Sequence, residues 1–222
     1  SVFTESIRGR QICLQWAGMN TSDTTTVQKP PARERILLTA HDLFYQNGIR
    51  ATGIDRVIAD SSVTKATFYR HFPSKNHLIC AFLEYRHQRW MDWFIDALAR
   101  HGGGVDSLLP AFDEWFRDKR FRGCAFINSV GELGGELPEV MEISRRHKQD
   151  VAYLISSMLA PSPHHETIAQ ALVVALDGAT VRAQLDPSPD AAIDALGRIF
   201  DALCPPQQPN WRYRCRDSGL ST

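Results

Sequence analysis

Apolar residues recur at three- and four-residue spacing along most of the chain, the period of an α-helix with one buried face. Ile36, Leu37, Ala40, Leu43 and Phe44 form the first stripe, and Asn47-Gly48 stops it. Thr52-Gly53-Ile54-Asp55 reads as the next start, with Thr52 placed to cap the free amides and Asp55 favouring the helix N-terminus. Ile54, Val57 and Ile58 give a short apolar face that Ser61-Ser62 interrupts. A third short helix is predicted from about 64 to 71, with Phe68 and Phe72 facing inward. Pro73 ends it, and Ser74 can cap a long fourth helix carrying Leu78, Phe82, Tyr85, Trp90, Trp93 and Leu98. After Gly102-Gly103-Gly104, further helices are expected at about 105–121, 124–133, 138–160, 164–185 and 189–203. No stretch alternates apolar and polar residues for long, so the fold class is all-α, three short helices leading into five or six longer ones.

The 25 basic and 25 acidic residues balance, so no global field draws this chain to nucleic acid, and any DNA-binding face must be local. Five scattered cysteines without a CxxC argue against a disulfide scaffold or a zinc site and fit a reducing cytosol. No apolar run reaches the roughly 18–20 residues that span a bilayer, so a cytoplasmic protein without a membrane partner is expected. The ends read as disordered: an arm at 1–31 with Thr21 to Thr26 and Lys29-Pro30-Pro31, and a tail at 205–222 mixing Pro, Gln, aromatic and basic residues. Met19 is a second candidate start, which would make residues 1–18 upstream sequence.

Two short helices joined by a tight turn have the geometry of a helix-turn-helix, which sets the second helix in the major groove. In the segment 64–71 the non-core positions are small, hydroxylic, cationic or aromatic-polar. Ala66 and Thr67 let the backbone approach base edges, and Lys65 and Tyr69 can reach bases or phosphates. From Pro30 to Lys75 seven cations (Arg33, Arg35, Arg50, Arg56, Lys65, Arg70, Lys75) face four anions (Glu34, Asp42, Asp55, Asp60), a local excess of three. On charge alone a solvated surface is the better reading.

Residues 33–79, above all Thr67-Phe68-Tyr69-Arg70-His71-Phe72-Pro73-Ser74-Lys75, resemble the N-terminal domain of TetR-family regulators. That resemblance implies that Thr64, Lys65, Ala66, Thr67, Tyr69 and His71 face DNA, with Lys75 and Thr52 meeting phosphate. It also implies a homodimer on a double-stranded DNA operator, with a small-molecule pocket among helices four to seven and an interface from the last two. Ser62 departs from the glycine usual in the family's turn, which bears on the turn's geometry. Arg122 to Asn128 resembles a segment at the start of the sixth helix in one branch of the family.

The resulting organisation is a helix-turn-helix head at 32–76 and a helical effector-binding and dimerisation body at 77–204. Pocket candidates are Trp90, Trp93, Phe94, Phe112, Trp115, Phe116, Phe126, Asn128 and Met141, an aromatic set suited to a mostly apolar effector. For each residue singly ordinary core packing is the better reading, and it is the aromatic density between Trp90 and Phe126 that favours a cavity. Ile168, Ala171, Leu172, Ala175, Gly178 and Ala179, with Ile193, Leu196 and Phe200, form two stripes expected to pair with a second copy. No cofactor, metal site or enzyme activity is expected. Cys124 reads as a buried structural thiol, His164-His165 as a cap or surface pair, and Glu132 with Glu136 as two carboxylates that could share a face, without the nearby His or Cys that would favour a metal. The function implied is sequence-specific transcriptional regulation, as a repressor released by its effector. A DNA-binding protein of this fold without an effector, and an adaptor that has lost DNA affinity, stay open as alternatives.

Overall fold

Helix α1, Ala32–Asn47, turns Ile36, Ala40 and Phe44 to the interior, one helical turn apart, with His41 and Tyr45 beside them. It opens the computed structural model, which describes residues 29–205, so the expectations for most of the arm and of the tail lie outside the described residues. After α1 the chain turns at Gly48, whose φ of +89° an L side chain tolerates poorly. Helices α2, Ile54–Ser61, and α3, Lys65–His71, follow. Helix α4, Lys75–Arg100, has 26 residues, about 39 Å at 1.5 Å per residue. A 3₁₀ turn, Val105–Ser107, leads into α5, Leu108–Phe116, and then α6, Ala125–Leu133, and α7, Pro138–Met158. Helices α8, His165–Leu185, and α9, Asp190–Leu203, close the described chain as a packed pair. Among the described residues there is no strand, and no helix is long and apolar enough to cross a membrane.

The predicted helix over 105–121 is shorter than expected. It ends at Phe116, and Asp118 folds the following residues into a turn by accepting from the Arg120 amide at 2.6 Å and, through its carbonyl, from Phe121 N at 2.9 Å. At Gly123 the backbone is left-handed, φ +77°, and a Cβ there would collide with the Gln184 carboxamide. The Gln184 side chain is exposed and can swing aside, so it is the left-handed backbone that favours glycine at this entry to α6.

Two apolar cores form. The first joins Ile36, Phe44, Val57, Phe68 and Phe72 of the three short helices to Leu78, Ile79, Phe82 and Leu83 of α4, and to Phe126 and Val140 of α6 and α7. The second is built on Trp90, Phe94 and Leu98 of the same α4, with α5, α7, α8 and α9 around them. Helix α4 is thus a rod shared by both cores. The interval between them, Glu84 to Arg89, carries polar side chains throughout.

Candidate DNA-binding face and effector cleft

Helix α3 is held from below and capped from the side. Phe68 is fully buried and Phe72 nearly so. The Thr64 hydroxyl accepts from the Thr67 amide at 3.1 Å and meets the Thr67 hydroxyl at 2.9 Å. This fixes the helix N-terminus and leaves Thr64, Lys65, Ala66 and Tyr69 exposed, Tyr69 at 41%. Thr67 and His71 are half-buried on the flank of the same face.

The turn between α2 and α3 forms without glycine. Ser62 takes the left-handed conformation, φ +53° and ψ +50°. Its amide donates to Ala59 O at 3.1 Å and Val63 N to Ile58 O at 3.3 Å. From α1, the Arg35 guanidinium donates to Ser61 O at 3.2 Å and to Ser62 O at 3.3 Å, pinning the turn that serine strains.

Thr52 differs from its predicted role, and Lys75 makes a contact beyond the one expected of it. Gly53 is the N-cap of α2, and Thr52 is fully buried, its hydroxyl donating to Gly48 O at 2.8 Å. Its side chain closes the α1–α2 loop from within and offers nothing to a phosphate. Lys75 is half-buried, donates to Ile49 O at 2.7 Å and lies 6.0 Å from the Phe44 ring centroid. Burial pushes its ammonium down from the ordinary lysine range. It therefore ties α4 to the α1–α2 loop in addition to any phosphate contact. Ser74 caps α4 as predicted, accepting from His77 N at 3.3 Å.

The body grips the head at that same loop. Glu132, at the end of α6, accepts from Ile49 N at 3.1 Å and Arg50 N at 2.7 Å, and its carbonyl accepts from Arg50 Nε at 2.7 Å. Glu136 pairs with the Arg50 guanidinium. The two carboxylates weighed as a metal face are a clamp on the head. Further along α1, the Tyr45 hydroxyl donates to Gly123 O and accepts from Arg122 N, both at 3.0 Å. Arg120 pairs with Asp42 at 2.7 Å.

A narrow cleft lies between α4 and α8, walled by residues of α5, α6 and α7. Of the nine pocket candidates it is lined by Trp90, Phe112, Trp115 and Phe126. Phe94 and Phe116 are packed in the second core, and Trp93 packs partly buried against it. Asn128 donates to Arg122 O at 2.9 Å, and Met141 is exposed beside Gly134. These five are not part of the lining. The cleft also has polar walls that the aromatic pattern did not indicate: Arg86, His147, Lys148, Asp177, Thr180 and the buried Cys124.

The His147 ring is stacked on Phe126, centroids 3.7 Å apart, and its Nδ1 lies 3.1 Å from His87 Nδ1. Burial, with Lys148 nearby, pushes His147 down to about 2, so it is neutral. Lys148 pairs with Asp177 and lies 3.6 Å from Cys124 Sγ. Burial opposes its charge, yet Cys124 and Asp177 outweigh it and the pKa is raised.

The predicted interface stripe is a correction in part. Leu172, Ala179 and Leu196 are buried in the chain's own second core, and Ile168, Ala175, Ile193 and Phe200 pack against it. Ala171 is half-buried. The unpartnered apolar face of α8 lies roughly a quarter-turn away: Val174 (72% exposed), Gly178, Val181 (40%) and Leu185 (71%), at spacings of four, three and four. Ile199 of α9, 42% exposed, presents a further apolar side chain. Gly178 belongs to both faces, and the other three lie to the side of the stripe that the sequence brought forward.

A family model described as bacterial regulatory proteins, tetR family, matches residues 36–82. A TetR-family transcriptional regulator from Streptomyces coelicolor is similar in structure with a TM-score of 0.70, at 30% identity, over 78% of this chain and 93% of that one. The reduced form of E. coli NemR shares the fold with a TM-score of 0.67, at 22% identity, over 77% of this chain and 95% of that one. An HTH-type transcriptional regulator from the lacX 3' region of Lactococcus lactis is 26% identical over 106 residues, 46% of this chain. That match spans about half of the relative, 54% of its length.

Proposed function

The chain belongs to the TetR family of bacterial transcriptional regulators, and from that premise we propose that it is a homodimeric repressor released from a palindromic operator by a small, mostly apolar effector. One observation carries the DNA-binding part: Thr64, Lys65, Ala66 and Tyr69 stand exposed on one capped helix whose inner face is anchored by Phe68. Side chains of these types reach base edges and phosphates. The head at 32–76 supplies this face, and the body at 77–204 sets its position.

A palindrome is read by two recognition helices about one DNA turn apart, roughly 34 Å. The exposed apolar face of α8, with Ile199, supports pairing with a second copy. Effector binding in the cleft shifts the head through α4 and through the clamp of Glu132 on Ile49 and Arg50. It can do so only to the extent that the effector prefers the released arrangement.

Fluorescence anisotropy on DNA from upstream of the gene, against a scrambled duplex and across a salt series, tests the reading. Tight binding to the upstream duplex alone, weakening as salt rises, is the expected result. Equal affinity for both duplexes would remove sequence-specific regulation from that site, and absence of binding by an intact dimer would favour the adaptor.

A further inference from the structure

We propose that the cleft takes a planar aromatic monoanion, an aromatic carboxylate for example, with Arg86 as its counter-ion and the Trp90 indole N–H as its second donor. This rests on the effector reading and narrows it from apolar to anionic.

Arg86 and Trp90 are four residues apart on α4, so they lie on one face of the helix, and both line the cleft. The Arg86 guanidinium is stacked over the Tyr45 ring, 4.0 Å from its centroid, and stands 3.5 Å from His41 Nε2. Among the described residues no carboxylate is paired with it. Trp90 Nε1 is buried and has no hydrogen-bond partner. A buried donor without an acceptor is unfavourable, and native proteins seldom keep one without a use for it.

The charges agree with that pair of donors. Lys148 and Asp177 neutralise each other across the lining, and His147 is neutral, which leaves Arg86 as one excess positive charge. Trp90, Phe112, Trp115 and Phe126 supply the flat apolar walls. A planar ring that parts this narrow cleft stacks against those walls, and its anionic edge answers the guanidinium and the indole. A neutral ligand would leave the cation without a counter-charge, and a cationic one would face it directly.

Arg86 also gives the ligand a route to the head. Its present partners, Tyr45 and His41, are both on α1. An anion in the cleft competes for the guanidinium and loosens that packing.

Isothermal titration of the full chain with benzoate and 2-naphthoate, each beside its neutral amide, tests the proposal directly. The carboxylates are expected to bind at least tenfold tighter than their amides. Arg86→Gln is expected to abolish that preference, Arg86→Lys to keep part of it, and Trp90→Phe to weaken the carboxylate several-fold. Circular dichroism of each variant separates lost binding from lost folding, and the carboxylate–amide comparison in the unaltered protein needs no variant. Equal affinity for acid and amide would overturn the anion and leave an apolar effector standing. No binding of either, by protein that still binds its operator, would remove the effector cleft and the proposal together. A carboxylate preference that survives Arg86→Gln would overturn Arg86 as the counter-ion, and an unchanged carboxylate affinity in Trp90→Phe would overturn the indole as a donor.

Discussion

Ser62 holds a left-handed backbone that glycine adopts without strain, a conformation that costs other residues roughly 1–2 kcal/mol. Part of that gain is lost to the greater freedom of glycine in the unfolded chain. Ser62→Gly is therefore expected to stabilise the protein by about 0.5–1 kcal/mol, seen as a higher urea midpoint with an unchanged slope. His41 and His147 are both buried, and burial pushes them down to about 4 and about 2. Below the ordinary imidazole pKa near 6.5 the unfolded chain takes up protons that the folded chain refuses. Stability therefore falls as pH drops through that value, continuing to about pH 4 for His41 and about pH 2 for His147. By pH 5 the two together amount to about 4 kcal/mol, at 1.36 kcal/mol per unit. Urea denaturation at pH 7 and pH 5 measures the difference, and His147→Phe should flatten it. On the recognition helix, Lys65→Ala is expected to weaken operator binding and reduce its salt slope by about one, with folding unchanged.

At the scale of the element, a carboxylate at the end of α6 holds two backbone amides of the head. Glu132→Gln leaves one of them without its acceptor, a loss of about 1–2 kcal/mol. Faster hydrogen exchange at Ile49 and Arg50 should report it, together with a weaker response of operator binding to effector. Helix positions were legible because a buried face repeats every 3.6 residues and because Ser74, Gly48 and the Pro-Ser-Pro breaks punctuate it. What a helix does with its second face was less legible. Both the Leu172–Ala179 stripe and the Val174–Leu185 stripe of α8 are apolar at helical spacing, and periodicity does not say which one a neighbouring helix covers. Thr52 was placed at a cap by its residue type, but the loop carries its hydroxyl inward to Gly48. Arg86 left no signal, since a cation between Tyr85 and His87 reads as a solvated face until α1 is laid against it. Aromatic density located the cleft, and four of its walls with it, because aromatic side chains far apart in sequence gather wherever the second core meets α4.

For the whole molecule, the corrected face makes a contrast that a mutational pair can test. Leu185→Asp and Val181→Arg are expected to yield folded monomers with weakened operator binding, since these side chains are exposed in the single chain. Leu172→Asp and Leu196→Asp place a charge inside the second core and are expected to unfold it instead. Sedimentation velocity combined with circular dichroism separates the two outcomes. Helix α4 binds the molecule together in another way. Because its first half completes the core of the three short helices and its second half completes the core of the body, neither half is a folding unit without it. Heating should give one cooperative transition, with calorimetric and van't Hoff enthalpies in agreement. A fragment ending at residue 76 should be unstructured, since Leu78, Phe82 and Leu83 would be missing from beneath Phe44 and Phe68. Recombination between relatives meets the same limit. A crossover at the boundary between head and body divides a core, whereas one within Glu84 to Arg89 falls in the polar interval and still obliges the incoming head to match the residues of α6 and α7 that roof it. The three short helices are a module in sequence, but inheritance must move them together with the part of the body that packs against them.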